Sequence, residues 1–150
     1  MRTKEYGRLH AEWYDLVSAG VDHRQEIEFL ARCVEASDGP VLELGSGTGR
    51  VLVPLLERGF DVTGIDTSVD MMARCRAACE AKGLAVELHE QSMLDFDLPR
   101  TYGTVVLASG GLGLLVRDDE IAATFARARA HLKPGGLFLY EYQPVPAGND

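Results

Sequence analysis

The stretch Val41-Leu42-Glu43-Leu44-Gly45-Ser46-Gly47-Thr48-Gly49-Arg50 decides the fold of this 150-residue chain. It begins as a short apolar strand with an acidic residue near its end, passes through a turn with glycine at every second position, and continues into an apolar helical pattern. Glycine in such a turn accepts positive φ and lets the backbone approach a ligand that any Cβ would meet. Because parallel α/β sheets bind ligands beyond the carboxyl ends of their strands, the turn predicts a ligand crevice.

Two helical patterns precede this turn, within residues 5–36. The first has an apolar stripe that includes Trp13, Leu16 and Val17, and Asp22 stands where it would cap the second. Both helices are expected to cover part of the sheet or to close over the turn.

Strands and helices alternate after the turn. Helices begin near residues 51, 67 and 118, the last with Asp118 or Asp119 as its cap, and the residues 133–136 end it. Further strands are predicted at four places: 61–66, 85–89, 104–108 and 137–142. This order predicts an α/β protein, with an open three-layer αβα arrangement and a mostly parallel sheet of about five strands.

The composition excludes several function classes. A formal net charge of −8 without a Lys/Arg cluster disfavours a nucleic-acid partner. The chain shows no apolar run of membrane-spanning length and no apolar signal region at its N-terminus, so no membrane partner and a cytoplasmic location are expected. The cysteines Cys33, Cys75 and Cys79 are interpreted as small buried hydrophobes in a reducing compartment, and no metal site is predicted.

The glycine spacing bears on the identity of the ligand. Dinucleotide-binding turns follow G-x-G-x-x-G, whereas Arg50 stands where the third glycine would fall. Asp66 ends the next strand about 20 residues further on, which suits either a dinucleotide or another nucleoside ligand. The spacing therefore disfavours an NAD(P)-binding oxidoreductase, which stays as a distant alternative.

Four segments in fixed order make the pattern more specific. They are Glu43–Gly49, Gly64–Ser68 with Met71, the Met93–Pro99 loop, and Leu132–Gly136. Together they resemble the class I S-adenosylmethionine-dependent methyltransferases, particularly small bacterial ones with an N-terminal helical region. The resemblance covers roughly Tyr6 to Tyr142 and implies a Rossmann-like sheet of order 3-2-1-4-5 with S-adenosyl-L-methionine as cofactor.

The resemblance also implies site residues at the strand ends. Glu43 would offset the positive charge of the cofactor, the Gly45–Gly47 backbone would hold its methionine part, and Asp66 would accept both ribose hydroxyls. Met71 fits either an adenine contact or the core. The full predicted cofactor-binding set is Glu43, Gly45, Ser46, Gly47, Asp66, Thr67, Met71, Ser92, Met93 and Ala108. No catalytic residue is predicted, and each histidine is interpreted as structural or solvated.

The chain departs from the family pattern in four places. Ser92 stands where an acidic residue usually borders adenine, and Tyr102-Gly103 replaces an aromatic-Asp pair. After the fourth strand the run Ser109-Gly110-Gly111 stands where a polar residue such as Asn is common, and the sequence ends soon after the fifth strand. One domain is expected, with residues 1–39 as a helical cap, 40–143 as a Rossmann-like core, and the C-terminal hairpin of the family absent. The fifth strand would then be an uncovered apolar edge, which predicts a homodimer through it.

The predicted function is S-adenosylmethionine-dependent methyl transfer to a small-molecule acceptor by in-line displacement. The alternative from another class is a non-catalytic or truncated module of the same fold that binds cofactor or mediates dimerisation.

Overall fold

The computed structural model describes residues 8–108 and 111–142. Within these ranges there are five α-helices and five strands, with a short 3-10 helix at Gly111–Leu114; two helices precede the first strand, and β3 is followed directly by β4. The helices are α1 (Arg8–Ser18), α2 (Arg24–Glu35), α3 (Leu52–Glu57), α4 (Val69–Ala81) and α5 (Asp118–His131). The strands are β1 (Val41–Leu44), β2 (Val62–Asp66), β3 (Glu87–Glu90), β4 (Tyr102–Leu107) and β5 (Leu132–Tyr140).

The strands form one sheet of order β3-β2-β1-β4-β5, and every neighbouring pair is parallel. This confirms the predicted order 3-2-1-4-5. All residues of the central strands β1 and β4 are buried, as expected for strands covered on both faces. The parallel arrangement brings the carboxyl ends of all five strands to one edge of the sheet.

Helices cover both faces of this sheet, which confirms the three-layer αβα fold. On one face α2, α3 and α4 pack against Val41, Val62 and Val106 in one apolar cluster. On the other face α5 and the loop before β4 pack in a second cluster that includes Leu42, Ile65, Phe96, Leu107 and Ala128. Each cluster is formed by alternate residues of the same strands, because successive side chains of a strand point to opposite faces.

Both acidic helix caps predicted from the sequence are wrong. His23 occupies the N-cap position of α2 without a side-chain cap bond, and the Asp22 carboxylate accepts hydrogen bonds from Arg24. Helix α5 already includes Asp118, and its first turn is held by Glu120, whose carboxylate accepts the backbone N–H of Arg117 at 3.3 Å. Helix α4 is capped by Ser68, whose Oγ accepts the Met71 N–H at 3.2 Å.

The segment 133–136 differs from the sequence interpretation. It does end α5, but it lies inside β5 as an irregularity and not as a turn before the strand. Tyr102 pairs with Leu132 and Thr104 with Leu137, so the residues between these partners form a bulge. Gly135 allows it with φ of 77°. Glu141 and Tyr142, predicted as strand, follow its end.

Gly103 has a packing role that explains one departure from the family pattern. A Cβ on Gly103 would lie 2.3 Å from the carbonyl oxygen of Asp38 and 2.8 Å from the Ser37 hydroxyl. Its N–H donates to the carbonyl of Pro40 at 2.8 Å, at the entrance to β4. The loop between α2 and β1 therefore approaches so closely that an aspartate could not replace this glycine in the same backbone.

Among the described side chains of helix α1, the apolar residues Trp13 and Leu16 are not packed against the rest of the protein. Trp13 is 65% exposed and Leu16 is 76% exposed, whereas Ala11 is buried. The helix is held on α4 by ion pairs from Arg74 to Glu12 and Asp15. The periodicity predicted the helix correctly but gave the wrong buried face, because the ion pairs lie on its polar side.

Buried histidine and cysteine side chains have structural roles. His131 Nε2 accepts the Leu98 N–H at 3.0 Å, and its Nδ1 donates to the Arg127 carbonyl at 2.8 Å. Cys75 and Cys79 are buried and free, and burial raises the pKa of the Cys75 thiol to about 12. Within the described ranges no group of three or more His, Cys, Asp or Glu side chains could hold a metal, and none of the helices there could cross a membrane.

Candidate functional site

The glycine turn follows β1 at the carboxyl edge of the sheet. Gly45, Gly47 and Gly49 have φ of 67°, 55° and 93°, a region that residues with a Cβ rarely adopt. The Ser46 N–H donates to the Ile65 carbonyl at 2.9 Å, so the ladder between β1 and β2 continues into the turn. A Cβ placed on Gly47 would meet no atom of the described chain within 4 Å. The turn therefore has open space at Gly47.

Asp66 holds this turn from the neighbouring strand. One of its carboxylate oxygens accepts the Gly47 N–H and the other accepts the Ser68 N–H, both at 2.8 Å. A carboxylate has about four acceptor positions in total, so about two stay available for a ligand. Asp66 thus connects the turn to the start of α4 through these two hydrogen bonds, and its carboxylate still faces the crevice as an acceptor.

Two buried oxygens next to the turn lack a partner among the described residues. They are Oε2 of Glu43, whose side chain is 3% exposed, and Oγ of Ser46. Burial raises the pKa of the Glu43 carboxyl well above its ordinary value, while the charge of Arg50 opposes this shift. A buried polar atom without a hydrogen bond is unfavourable, so this pair of oxygens fits a ligand that supplies donors or positive charge.

The raised pKa of Glu43 predicts a pH dependence of stability. Since the folded-state value exceeds the unfolded one, the stabilising contribution is present below pH 4.5 and is lost as pH rises through the folded-state pKa. We expect the free energy of unfolding of the ligand-free protein to fall between pH 5 and pH 8. In the Glu43→Gln variant this decline should largely disappear. Urea denaturation at constant ionic strength measures both, and parallel pH profiles of the two proteins would contradict the prediction.

Met93 brings the loop after β3 next to the turn. A Cβ on Gly45 would be 3.5 Å from Cε of Met93, which is ordinary contact distance. Ser92 precedes it in this loop, and its Oγ accepts the Leu94 N–H at 3.2 Å. The Ser92 hydroxyl is thus engaged in shaping the loop, which is a local reason for serine at this position.

The remaining predicted residues are spread along the same edge. Thr67 is exposed after β2, and Met71 is 5% exposed in the first turn of α4, which agrees with the core interpretation of this side chain. Ala108 follows β4. Val106 lies beside Glu43 in the β1–β4 register, so Ala108 follows at the level of Gly45. The topology therefore brings all ten predicted residues to one edge.

Sequence reasoning missed the connection from Arg50 to the N-terminal helices. The Arg50 guanidinium binds both oxygens of Glu26 in α2, at 2.6 and 3.1 Å, and also bonds Tyr14 of α1. The hydrogen bond from Arg50 lowers the pKa of Glu26. The position of Arg50 directly after the glycine turn indicates that its side chain can reach a neighbouring element. Its partner, 24 residues away in sequence, could not be identified.

This arrangement suits a ligand with a cationic part and without phosphate. The acceptors facing the turn are carboxylate and hydroxyl oxygens, and the guanidinium nearest to it is already paired with Glu26. A pyrophosphate would require donors and positive charge at the turn. The crevice instead presents carboxylate and hydroxyl acceptors, so it does not suit a pyrophosphate.

Comparisons with known proteins agree with this geometry. Residues 41–136 match the family model described as methyltransferase domain. The chain is 32% identical over 139 residues to the dTDP-3-amino-3,4,6-trideoxy-alpha-D-glucopyranose N,N-dimethyltransferase of Streptomyces venezuelae, covering 88% of this chain and 56% of that protein. It is 30% identical over 136 residues to the demethylmenaquinone methyltransferase of Thermus thermophilus, covering 89% and 60%.

A solved structure shows the same similarity. The crystal structure of the glycopeptide N-methyltransferase MtfA complexed with S-adenosyl-L-methionine superimposes with a TM-score of 0.71 at 34% identity, over 79% of this chain and 54% of that chain. The described sheet therefore has the architecture of a protein crystallised with adenosylmethionine. The chain spans about half the length of the curated relatives it matches, 56% and 60% for the two relatives above.

Proposed function

This chain belongs to the class I S-adenosylmethionine-dependent methyltransferases, and from that premise we propose that it transfers a methyl group from S-adenosyl-L-methionine to a small-molecule acceptor. The observation that carries the proposal is the unpartnered pair of buried oxygens, Glu43 Oε2 and Ser46 Oγ, beside the open space at Gly47. Adenosylmethionine carries a sulfonium and an ammonium group, which suit these acceptors. It has no phosphate and so needs no basic cradle.

The proposed cofactor contacts follow the carboxyl edge of the sheet. Gly45, Ser46 and Gly47 would hold the methionine part with Glu43 beneath them, and Asp66 would accept the ribose hydroxyls with its two remaining acceptor positions. Around the adenine and the methyl group we place the side chains Thr67, Met71, Ser92, Met93 and Ala108.

The contribution of the protein to the chemistry is mainly positioning. When bound, adenosylmethionine would supply a methyl group on a sulfonium, whose sulfur would leave as a neutral thioether as the acceptor forms its bond to the methyl carbon in line. Alignment of the acceptor and exclusion of water can contribute several kcal/mol. A general base is needed only where the acceptor must lose a proton before it reacts, and no residue is assigned that role.

Calorimetric titration tests the cofactor assignment. S-adenosyl-L-homocysteine and adenosylmethionine are expected to bind one site per chain, and NADH is expected not to compete. Absence of binding by both ligands would overturn the proposal, and preferential binding of NADH would restore the oxidoreductase alternative, which nothing in the comparisons supports. Binding without turnover of any acceptor would favour the non-catalytic module.

We also propose the division of the chain into a helical cap at residues 1–39 and a core at 40–143, and a cytoplasmic location. The ion pair between Arg50 and Glu26 supports a cap that is bonded directly to the cofactor turn. Three free cysteines are compatible with a reducing compartment.

Self-association through β5 is a further proposal. Among the described residues β5 pairs only with β4, and Leu137 and Tyr140 on it are 37% and 47% exposed. An apolar edge strand with unpaired backbone groups is a template for a second copy.

Sedimentation velocity tests this interface. The protein is expected to be a dimer at high micromolar concentration, and Leu137→Lys is expected to shift it to monomer because a charge blocks edge pairing. Leu114→Lys is the matched control, since Leu114 is exposed but lies outside the strand. A monomer at these concentrations, or equal effects of the two substitutions, would contradict the prediction.

A further inference from the structure

The loop after β3 is held in place by α5. Arg127 Nε donates to the Phe96 carbonyl at 2.7 Å, and Arg127 Nη2 donates to Asp97 Oδ1 at 3.1 Å. One helical turn later, His131 Nε2 accepts the Leu98 N–H at 3.0 Å. Two side chains of one helix therefore hold three consecutive residues of the loop.

The loop in turn reaches the glycine turn through a short hydrogen-bonded segment. The Phe96 N–H donates to the Ser92 carbonyl at 3.0 Å. Met93 follows Ser92, and its Cε lies 3.5 Å from the place of a Cβ on Gly45. The Met93 side chain also packs against the apolar cluster that contains Phe96 and Leu98. The position of Met93 beside the glycine turn is thus connected through few residues to the contacts with α5.

His131 makes its two hydrogen bonds in one protonation state only. Its Nε2 must be unprotonated, because it accepts the Leu98 N–H, and its Nδ1 must carry the proton, because it donates to the Arg127 carbonyl at 2.8 Å. An imidazolium has a proton on both nitrogens, so it would place an N–H against the Leu98 N–H. His131 is 4% exposed, so little water can reach the separated groups. Proton uptake by His131 and its bond to Leu98 therefore exclude each other.

The surroundings of His131 give an imidazolium little support while the loop is in place. The ring packs against the Phe96 ring, with centroids 4.6 Å apart. Arg127 on the same helix is a cation, and Asp97 Oδ1, which lies 3.8 Å from His131 Nε2, belongs to a side chain that is 89% exposed and already paired with Arg127. Tyr102 of β4 lies in the same apolar cluster as Phe96, and burial raises the pKa of its hydroxyl, so it stays neutral below pH 8. An exposed carboxylate contributes little, so these groups do not offset the loss of the backbone bond.

We infer that His131 is a positioning residue for cofactor binding and that it acts only while it is neutral. This role rests on the proposed function, because the loop that His131 holds carries Ser92 and Met93 of the proposed cofactor site. Protonation would release Leu98, loosen the loop and lower the fraction of molecules in which the site is formed. The apparent dissociation constant is the intrinsic one divided by that fraction. Cofactor affinity is therefore expected to be full near pH 8 and to decrease as the pH falls through the range in which histidine takes up a proton.

The test measures the affinity for S-adenosyl-L-homocysteine by calorimetry between about pH 8 and about pH 5.5, in the native protein and in His131→Gln. Glutamine presents its Oε1 as many bonds from the backbone as Nε2 and does not titrate, so it keeps an acceptor for the Leu98 N–H at every pH. The ratio of the native dissociation constant to that of the variant is expected to rise about two- to tenfold on acidification. Titration of Glu43 and of the ligand is common to both proteins and cancels in this ratio.

Two further variants distinguish this role from packing alone. His131→Leu removes the acceptor, so its affinity is expected to be about three- to tenfold lower than that of the native protein at pH 8 and to follow the pH profile of His131→Gln. The matched control is His89→Gln, because His89 lies on β3, which leads into the same loop, and its Nε2 pairs with the exposed Glu87 carboxylate. This control is expected to keep the native pH profile. Where His131→Leu does not fold, the comparison of the native protein with His131→Gln still decides.

A second measurement needs no cofactor. The ¹⁵N spectrum of the imidazole distinguishes the two neutral tautomers, and the Nδ1–H form of His131 is expected at pH 8. Hydrogen exchange of the ligand-free chain is expected to show a protection factor at the Leu98 amide that falls on acidification in the native protein and stays constant in His131→Gln.

These measurements separate the role of His131 from the proposed function. Parallel affinity profiles of the native protein and His131→Gln, or an Nε2–H tautomer at pH 8, would overturn that role even where the cofactor binds normally. Loss of the acid decline in His89→Gln would overturn it as well, since the decline would then belong to another histidine. Absence of S-adenosyl-L-homocysteine binding at every pH overturns the proposed function, and the Leu98 protection factor then decides by itself whether His131 holds the loop.

Discussion

Replacing Asp66 with alanine is expected to weaken S-adenosyl-L-homocysteine binding by at least about a hundredfold. The carboxylate holds the Gly47 and Ser68 backbone N–H groups at 2.8 Å and is proposed to bind the ribose as well. Hydrogen bonds to a charged acceptor contribute roughly 1.5–3 kcal/mol each, so loss of the ribose contacts alone accounts for the effect. The turn also loses its support from β2. Isothermal titration calorimetry measures the affinity.

Two further substitutions divide this effect into its parts. Asp66→Asn keeps one acceptor oxygen but presents an amide NH₂ to a backbone N–H, and an intermediate loss of about tenfold is expected. Asp70→Ala is the matched control, because Asp70 is an exposed acid in the first turn of α4. If Asp66→Ala binds within about threefold of the native protein, the ribose assignment is wrong. Thermal denaturation without ligand reports the structural part separately.

The hydrogen bonds of Asp66 show how far sequence reasoning extends at this site. The position of Asp66 at the end of β2 can be predicted from its neighbours in sequence, because an apolar strand, an acidic residue and a helix cap follow one another within a few residues. Its bond to the Gly47 backbone spans 19 residues and depends on how β1 and β2 pair. The sequence interpretation therefore placed a carboxylate at the end of β2 but did not predict the support that it gives to the turn.

The parts that the sequence could not predict are contacts between distant elements. The helix α1 was predicted, but its packing face was not, because Arg74 attracts Glu12 and Asp15 from another helix. Residues 133–136 are predicted only to end α5, whereas they also form a bulge inside β5, because glycine and proline signal a helix end and a strand irregularity alike. Periodicity describes one element at a time, whereas these features are fixed by pairs of elements.

The same limit applies to the cavity that lies between α2 and the carboxyl ends of β4 and β5. Glu26 and Phe29 were assigned to a covering helix, and nothing in their spacing distinguished a cavity wall from a solvated face. Their role depends on Leu139 and Ala108 lying opposite, which only the sheet order establishes. Phe29 can be recognised as a residue that lines this cavity only when the sheet order is known.

The glycines of the turn provide the second large prediction, because Gly47 and Gly49 have opposite surroundings. A Cβ on Gly47 meets no atom of the described chain within 4 Å, whereas one on Gly49 would lie 2.7 Å from both Cys75 Sγ and Val53 Cγ2. Gly47→Ala is expected to cost roughly 1 kcal/mol of stability from its positive φ, and at least about tenfold in S-adenosyl-L-homocysteine affinity. The methyl group would occupy space that the ligand needs.

Gly49→Ala is expected to act on the fold. The clash in a packed interior and the φ of 93° together predict a loss of about 2–4 kcal/mol in the free energy of unfolding. Urea denaturation measures this loss, and calorimetry on the folded protein should show a smaller change in affinity than for Gly47→Ala. Adding Cys75→Ala to Gly49→Ala removes one of the two clashing atoms and should recover part of the stability.

Comparing Gly47→Ala with Gly49→Ala distinguishes a turn that binds a ligand from a turn that serves folding alone. A turn that served folding alone would show Gly47→Ala with normal affinity for S-adenosyl-L-homocysteine, and that result would contradict the placement of the cofactor at Gly47. Equal stability losses in the two variants would contradict the geometry of the turn itself. The two substitutions require different results, since Gly47 faces the open space where the cofactor is proposed to bind, whereas Gly49 packs against Val53 of α3 and Cys75 of α4.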